Sequence, residues 1–377
     1  MHKSAQYYDK LTVTKPTLPD FDLFVESLRA IWKSKYLTNM GPFHDRLEAA
    51  LAEYLNVPFI SLFCNGTIAL QTGLQALHIT GEVITTPFTF PATVHAIYWN
   101  RCTPVFCDID LETLSLNPEQ VETLITPETT AIMPCHVYGK PSNTAALQRI
   151  ADLHGLKTFY DAAHAFGVKP LGELRDTFWG DMSMLSFHAT KVFNTIEGGA
   201  LVMHERKMKN RVDYLKNFGI ADEVTIVGQG INGKMNEVCA AFGLLQLDRL
   251  EQDFAMRQVL DAQYRERLQR IPGVRPLAHG SNYERNYCYF PVFIEEEFGI
   301  TRDALHDKLV SECIYPRRYF YPLVSQAPCY RRLPSADPAN LPNAHAVAKK
   351  VLCLPFYTDL QQDDVHRVCD VIEQARM

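Results

Sequence analysis

The 377-residue sequence lacks any apolar run of about 18 residues, and its first residues, MHKSAQYYDKLTVTK, contain no apolar core typical of a signal peptide. Neither a membrane span nor export is expected, so we predict a cytoplasmic protein.

The sequence also lacks an excess of positive charge: 37 lysines and arginines against 43 acids give a net charge of −6. Nonspecific binding to nucleic acid or to anionic membranes needs a basic surface and is not expected.

The ten cysteines form no disulfide pattern. They are isolated from one another, none is in a C-x-x-C pair, and several lie in apolar stretches. The simplest interpretation is buried, reduced thiols. Cys135 and His136 are adjacent, but two neighbouring residues without further ligands at suitable spacing do not indicate a metal site, and none is predicted.

Short apolar runs alternate with amphipathic stretches up to about Met235. FISLF, EVITTP, TPVFCDID, TTAIMPCHV and LKTFYDAA are typical of strands, and helical patterns lie between them. This alternation predicts βαβ units, an α/β fold and a mainly parallel sheet. A long helical stretch and a second set of strand and helix patterns follow. We therefore predict a large domain, residues 1–245, joined through a long helix to a smaller C-terminal α+β domain, residues 246–377.

Reactive or phosphate-binding residues follow three of the predicted strands. FISLF leads into Asn65-Gly66-Thr67 and a helix, LKTFYD ends at Asp161 with His164 close behind, and DMSMLSF ends at Ser186, before Lys191. If these strands are parallel, their carboxyl ends meet at one edge of the sheet, where ligands bind in open α/β folds. A helix N-terminus with a glycine offers backbone N–H groups to a phosphate.

Each feature also has an ordinary structural interpretation. Asn65-Gly66-Thr67 is most often a helix N-cap, Asp161 could cap the next helix, and Lys191 could be solvated. Their joint occurrence favours pyridoxal phosphate (PLP), whose aldehyde condenses with a lysine and whose pyridine nitrogen is kept protonated by a carboxylate. The combination predicts that Lys191 is a nucleophile.

The motifs NGT, DAAHAFG and SFHATK-x5-EGG, in this order, resemble the DegT/StrS-type sugar-nucleotide aminotransferases. The resemblance runs from KYLTNMGPFHDRLEAAL through GKMNEVCAAFGLLQL to YPRRYFYPL, nearly the whole chain. It implies an aspartate aminotransferase-like fold (fold type I) with a mainly parallel seven-stranded sheet in the large domain. It also implies a PLP-dependent homodimer whose active sites are shared between the subunits.

The resemblance implies a role for individual residues. Lys191 would bond to the cofactor aldehyde and move the proton of the transamination, Asp161 would pair with the pyridine nitrogen, and His164 would lie near the phenolic oxygen. Gly66, Thr67 and Ser186 would hold the cofactor phosphate, and Asn232 would reach the phosphate of the partner subunit's cofactor. Phe90 would stack on the cofactor ring. Ile196 stands where the family more often has glycine, so the turn after Lys191 is expected to differ.

A competing class is suggested by GQGING, residues 228–233, which has the G-x-G-x-x-G spacing of dinucleotide-binding sites. That fingerprint requires a second strand carrying an acid at its tip, yet Asp248, roughly twenty residues on, lies in a predicted helix. A nicotinamide-dependent oxidoreductase is therefore the less favoured class.

The resemblance also implies a substrate. Related dehydratases carry histidine in place of the lysine, so Lys191 favours transamination. The expected donor is glutamate, and the expected acceptor is dTDP-4-keto-6-deoxy-D-glucose, giving dTDP-4-amino-4,6-dideoxy-D-glucose for O-antigen or another glycan. Amination at C3 of a 3-keto sugar stays an alternative, as do UDP in place of dTDP and either configuration of the amine. Arginine and tyrosine side chains would contact the diphosphate and offer stacking surfaces, and the expected substrate contacts are Thr38, Arg318, Tyr319 and Tyr321.

Overall fold

A computed structural model describes residues 10–172 and 174–376. The strands are β1 Leu11–Thr12, β2 Phe59–Phe63, β3 Glu82–Thr85, β4 Thr103–Phe106, β5 Thr129–Met133, β6 Lys157–Asp161, β7 Lys169–Pro170, β8 Met182–Ser186, β9 Gly199–Met203, β10 Ile220–Asp222, β11 Thr225–Ile226, β12 Val274–Pro276, β13 Tyr283–Glu284, β14 Phe290–Ile294, β15 Ile314–Tyr315 and β16 Val351–Leu354. The α-helices are α1 Phe21–Ser34, α2 Pro42–Leu55, α3 Gly66–Ala76, α4 Pro91–Trp99, α5 Pro118–Thr123, α6 Thr144–His154, α7 Leu174–Thr177, α8 Arg206–Leu215, α9 Glu237–Leu268, α10 Arg302–Ser311, α11 Pro342–Lys350 and α12 Gln362–Ala375.

The central sheet has seven strands in the order β2-β9-β8-β6-β5-β3-β4. Strand β9 runs antiparallel to both of its neighbours, and the other pairs are parallel. The predicted α/β fold with a mainly parallel seven-stranded sheet is thus confirmed. Because β2 and β8 are both antiparallel to β9, they are parallel to each other. The carboxyl ends of β2, β6 and β8 therefore lie at the same edge of the sheet, as predicted.

Helices pack closely on this sheet. A Cβ atom added to Gly73 of α3 would lie 2.5 Å from the Phe159 ring of β6, so the glycine allows the helix to approach the strand. Asparagine side chains start several helices by accepting a backbone N–H three residues on, as Asn65 does for α3 and Asn236 for α9. The helix after β2 therefore begins at Gly66, directly at the functional edge of the sheet.

A second core lies in the C-terminal part of the chain. The antiparallel sheet β12-β14-β16 packs with α10, α12 and the end of α9 around Tyr264, Phe290 and Val368. Strand β1 pairs in parallel with β15, so the start of the described chain joins this part. Helix α9 contributes Leu250 to the first core and Tyr264 to the second. The predicted domain boundary at residue 245 falls inside this continuous helix and stays a prediction.

No helix in the described ranges combines the length and the apolar character that crossing a bilayer requires. The N-terminal segment for which no signal peptide is expected lies mostly outside the described residues.

Candidate active site

A cavity of about 280 Å³ lies at the carboxyl edge of the central sheet. It is bounded by the ends of β2, β6 and β8 and by the first residues of α3 and α4. The structure brings together here seven of the eight predicted cofactor-binding residues, which are Gly66, Thr67, Phe90, Asp161, His164, Ser186 and Lys191. The eighth, Asn232, does not line this cavity.

The start of α3 forms one end of the cavity. Asn65 Oδ1 accepts from the backbone N–H of Ile68 over 2.9 Å, so the ordinary interpretation of this asparagine, a helix N-cap, is correct. The N–H groups of Gly66 and Thr67 belong to the first helical turn, which has no intrahelical acceptors. A Cβ atom added to Gly66 would lie 3.3 Å from Ser186 Cβ, so glycine lets the serine sit beside the helix terminus. This cradle fits a phosphate group.

Asp161 is buried and hydrogen-bonded through both oxygens. Oδ2 accepts from the Thr93 hydroxyl over 2.6 Å, and Oδ1 accepts from the backbone N–H of Ala163 over 3.0 Å. Burial raises the pKa of this carboxyl, while the two hydrogen bonds and the charge of Lys191 lower it. Thr93 was missed by the sequence analysis. It lies in PFTFPAT beside Phe90, but nothing in that stretch signals a contact with a strand end.

Lys191 lines the cavity and has an unusual environment for an amine. Among the described residues, no hydrogen-bond acceptor or ion-pair partner reaches its Nζ. Burial lowers the pKa of Lys191, and the charge of Asp161 opposes this effect only in part. A lowered pKa leaves more of the amine unprotonated, which is the nucleophilic form.

The turn after Lys191 contains an isoleucine in an unfavourable conformation. Ile196 has a φ of 69°, in the left-handed region that favours glycine. Its backbone N–H donates to Asn194 Oδ1 over 3.2 Å. Ile196 therefore adopts a conformation that glycine reaches at lower cost, and it carries the strain.

His164 is both packed and part of the cavity wall. Its Nδ1 accepts from the backbone N–H of Tyr138 over 3.1 Å, which leaves Nε2 as the donor of the neutral ring. The ring is stacked on Phe320 at 6.0 Å and lies 4.8 Å from the Tyr289 ring, centroid to centroid. Burial, and then the charge of Lys191, lower the pKa of His164, so the imidazole is neutral.

A larger cleft of about 1180 Å³ adjoins the cavity, and Thr89, Phe90, Thr190, Tyr319 and Phe320 line both. The cleft extends between β1, the start of α4 and the segment after β15. Of the predicted substrate contacts, this cleft contains Arg318, Tyr319 and Tyr321. The arrangement has room for a ligand larger than a cofactor, with one end at Lys191.

The two arginines of the cleft differ in their partners. Arg318 Nη1 donates to Asp303 Oδ1 over 2.7 Å, and Arg302 donates to the same oxygen over 2.9 Å. Arg317 is exposed, and its backbone pairs with that of Cys353. Within the described part of the chain its guanidinium has no ion-pair partner. Of the two adjacent arginines, Arg317 is therefore the one without a carboxylate partner among the described residues.

Two predicted site residues lie outside both cavities. Thr38 is exposed after α1, and Asn232 is exposed and forms an isolated bridge with Asn217. The carbonyl of the next residue, Gly233, accepts from the backbone N–H of Cys64 over 2.7 Å, so this segment is anchored beside the end of β2. A contact of Asn232 with the partner subunit's cofactor stays a prediction.

Neither alternative motif forms a site in the structure. GQGING follows the β10–β11 hairpin and leads into α9, which contains Asp248, so the second strand of a dinucleotide-binding unit does not follow it. His136 is buried between the rings of Tyr160 and Phe178, with centroids at 4.8 and 4.7 Å. In the residues that the structure describes, no cluster of histidine, cysteine and acidic side chains is arranged to hold a metal ion.

The whole chain is similar to sugar aminotransferases. The model of the DegT/DnrJ/EryC1/StrS aminotransferase family matches residues 22–373. The chain is 48% identical over 363 residues to a dTDP-4-amino-4,6-dideoxy-D-glucose transaminase of Escherichia coli, with 96% of this chain and 98% of that protein covered. The transaminase of the same name from Shigella dysenteriae is 46% identical over 366 residues, at 97% and 98% coverage. The crystal structure of DesI in the presence of its TDP-sugar product superposes with a TM-score of 0.93 at 36% identity, covering 98% of this chain and 94% of that one.

Proposed function

The chain belongs to the DegT/DnrJ/EryC1/StrS aminotransferase family, as the motifs predicted, and from that premise we propose that it is a PLP-dependent transaminase of a nucleotide-linked keto sugar. Glutamate is the amino donor, and dTDP-4-keto-6-deoxy-D-glucose is aminated at C4. The product is then dTDP-4-amino-4,6-dideoxy-D-glucose, the sugar named in the two similar transaminases. The observation that carries the proposal is the convergence of Lys191, Asp161 and the start of α3 on one cavity.

The cavity residues fit PLP in position and chemistry. The backbone N–H groups of Gly66 and Thr67, with the Ser186 hydroxyl, would hold the phosphate, and Asp161 would hold the ring nitrogen. Phe90, which is more than half exposed and lines the cavity, would cover a face of the ring. The bound cofactor supplies an aldehyde that links to amines and a ring that withdraws electrons from the reacting carbon.

Three residues of the chain would move or control protons. Lys191 Nζ would be the base that takes a proton from the glutamate Cα, and in the second half-reaction the same atom would deliver a proton to C4 of the sugar. Asp161 would accept the hydrogen of the ring nitrogen, and His164 would donate from Nε2 to the phenolic oxygen. The lowered pKa of Lys191 suits the first of these roles, because a neutral amine is needed.

The outer cleft would hold the nucleotide and the diphosphate. Arg317 and Arg318 offer planar guanidinium groups to phosphate oxygens, and Tyr319 and Tyr321 offer ring faces. Since the sugar has few apolar groups and its keto carbon must stay reactive, these remote contacts would supply most of the binding energy.

A second copy of the chain would complete each site. The β10–β11 hairpin and the residues after it expose apolar side chains, with Val224 at 91%, Ile226 at 74% and Val227 at 56% exposure. They precede Asn232 by only a few residues. A partner subunit that covers this hairpin would bury the apolar surface. Asn232 would then lie beside the phosphate of the cofactor bound in the partner subunit.

The substrate assignment is tested with a panel of nucleotide keto sugars and glutamate, read by mass spectrometry and product NMR. We expect the 4-keto-6-deoxy sugar on dTDP to be converted fastest, with the new amine on C4. An amine on C3 would show that the C4 assignment is wrong, but it would still support a transaminase. Absence of any aminated sugar, with PLP bound, would overturn the assignment.

A further inference from the structure

A chain of buried hydroxyl groups leads to the carboxylate of Asp161. Thr89 Oγ1 lies 2.8 Å from Thr93 Oγ1, which lies 2.6 Å from Asp161 Oδ2. The two threonines are 1% and 0% exposed, so water does not compete for these bonds. Thr89 precedes α4 and Thr93 is in its first turn, whereas Asp161 ends β6. The chain of bonds therefore connects a helix to the functional edge of the sheet.

The direction of these hydrogen bonds follows from the charge at the end. An ionised carboxylate only accepts, so the Thr93 hydroxyl donates to Asp161, and its oxygen accepts from Thr89. The donors therefore run from Thr89 through Thr93 to Asp161.

The two oxygens of Asp161 are held from different elements. The Oδ1 donor, the N–H of Ala163, is fixed by the backbone two residues away. The Oδ2 donor, Thr93, comes from α4 and so determines how the carboxylate is rotated. Burial raises the pKa of Asp161, and Thr93 lowers it more than Ala163 or Lys191 does. Thr93 thus acts on both the orientation and the charge of this group.

We propose that Thr93, oriented by Thr89, is a positioning residue that keeps Asp161 ionised and directed at the ring nitrogen of bound PLP. The inference rests on the proposed function, because it requires PLP in the cavity. Without the Thr93 donor, the carboxylate is a stronger base, and the proton between the two groups moves from the ring nitrogen to Asp161. A ring with a neutral nitrogen withdraws electron density from the reacting carbon less strongly than a protonated ring, so turnover slows.

The test compares Thr93→Val, which keeps the shape and removes the hydroxyl, with Thr93→Ser, which keeps the hydroxyl. Each holoenzyme is reconstituted with PLP labelled at the ring nitrogen, and nitrogen NMR reports whether that nitrogen is protonated. For Thr93→Val we expect a shift towards the neutral nitrogen and a kcat lower by about ten- to a hundredfold. For Thr93→Ser we expect the wild-type nitrogen signal and a kcat within about threefold of wild type.

Thr72→Val is the matched control, because the Thr72 hydroxyl of α3 is equally buried and has no hydrogen-bond partner among the described residues. It should leave the nitrogen signal unchanged. A folded Thr93→Val enzyme with a protonated ring nitrogen would overturn the inference. If Thr93→Val does not fold, Thr89→Val should show a smaller shift in the same direction, and no shift there overturns the inference too. Failure of the wild-type protein to bind PLP would instead refute the proposed function.

Discussion

Arg318 is paired with Asp303: its Nη1 donates to Asp303 Oδ1 over 2.7 Å, at the wall of the cleft proposed for the nucleotide. Arg302 donates to the same oxygen. A diphosphate that reached Arg318 would therefore compete with a carboxylate already in place, whereas the neighbouring Arg317 has no such competitor among the described residues. The two arginines, adjacent in sequence, should contribute unequally to substrate binding.

We expect Arg317→Ala to raise the KM for the nucleotide sugar by about ten- to a hundredfold, the effect of losing a charge-assisted hydrogen bond. Arg318→Ala should raise the KM by only about threefold, because the Arg318 guanidinium is already hydrogen-bonded to Asp303. Steady-state kinetics measure both values. The half-reaction with glutamate, followed in single turnovers, serves as the control and should be unchanged in both variants, since glutamate has no diphosphate. Equal effects of the two substitutions would contradict the distinction, and an unchanged KM in both would remove the pair from the site.

Lys191→Ala should reduce turnover by about 10⁴-fold or more, because the nucleophile and the proton carrier are one atom. The variant should bind PLP without the covalent link, so mild borohydride treatment should fix the cofactor to the wild-type chain alone. The free energy of unfolding of the cofactor-free protein should stay within about 1 kcal/mol of wild type, since Nζ makes no hydrogen bond among the described residues. Substantial turnover by this variant would remove Lys191 from the reaction.

Burial lowers the pKa of His136 to about 4, and its ring is held between Tyr160 and Phe178. The unfolded chain takes up a proton at this histidine below about pH 6.5, whereas the folded chain does so only near pH 4. Its contribution to stability is therefore complete above pH 6.5 and is lost as the pH falls towards 4, by about 3 kcal/mol. Urea unfolding at several pH values should show a shallower decline for His136→Gln than for wild type. Parallel curves would mean that His136 titrates normally in the folded protein.

Ile196→Gly should stabilise the protein by about 1 kcal/mol. The left-handed conformation costs a β-branched residue about 1–3 kcal/mol, and glycine gives back less than that through its greater freedom in the unfolded chain. Little burial is lost, because Ile196 is 43% exposed. Ile196→Ala is the control, since alanine keeps a Cβ atom at positive φ. Unfolding curves in which alanine equals or exceeds glycine would show that backbone strain is not the cause.

Mixing Lys191→Ala with Asn232→Ala protein tests whether the sites are shared. In a mixed dimer, one site would carry both substitutions and the other would carry neither. With random exchange of equal amounts, activity should recover to about a quarter of wild type. Mixed dimers that form, as shown by differential tagging, but remain inactive would place Asn232 in its own subunit's site or in none.

Which groups could react, and where they would meet, followed from the strand and helix patterns in the sequence. Strand-like runs end at Asn65, Asp161 and Ser186, and one topological rule then places Gly66, Asp161 and Lys191 at a common edge. The antiparallel β9 was not predicted, but it leaves β2 and β8 parallel, so the convergence survives. Phe43, Leu47, Leu51 and Leu55 recur at helical spacing in the sequence, and the structure has α2 over Pro42–Leu55. These features depend on local periodicity, which a sequence displays directly.

The orientation and charge of those groups depend instead on tertiary contacts. Thr93 is hydrogen-bonded to Asp161, which lies 68 positions away in the sequence, and β1 pairs with β15, some three hundred positions away. Asp303 captures Arg318 rather than Arg317, although the two arginines are neighbours in the chain. No periodicity or motif marks these contacts, because they depend on how a helix is rotated and seated against a sheet to within a fraction of an ångström. A strand pattern tolerates such displacements, whereas a hydrogen bond to a buried carboxylate does not.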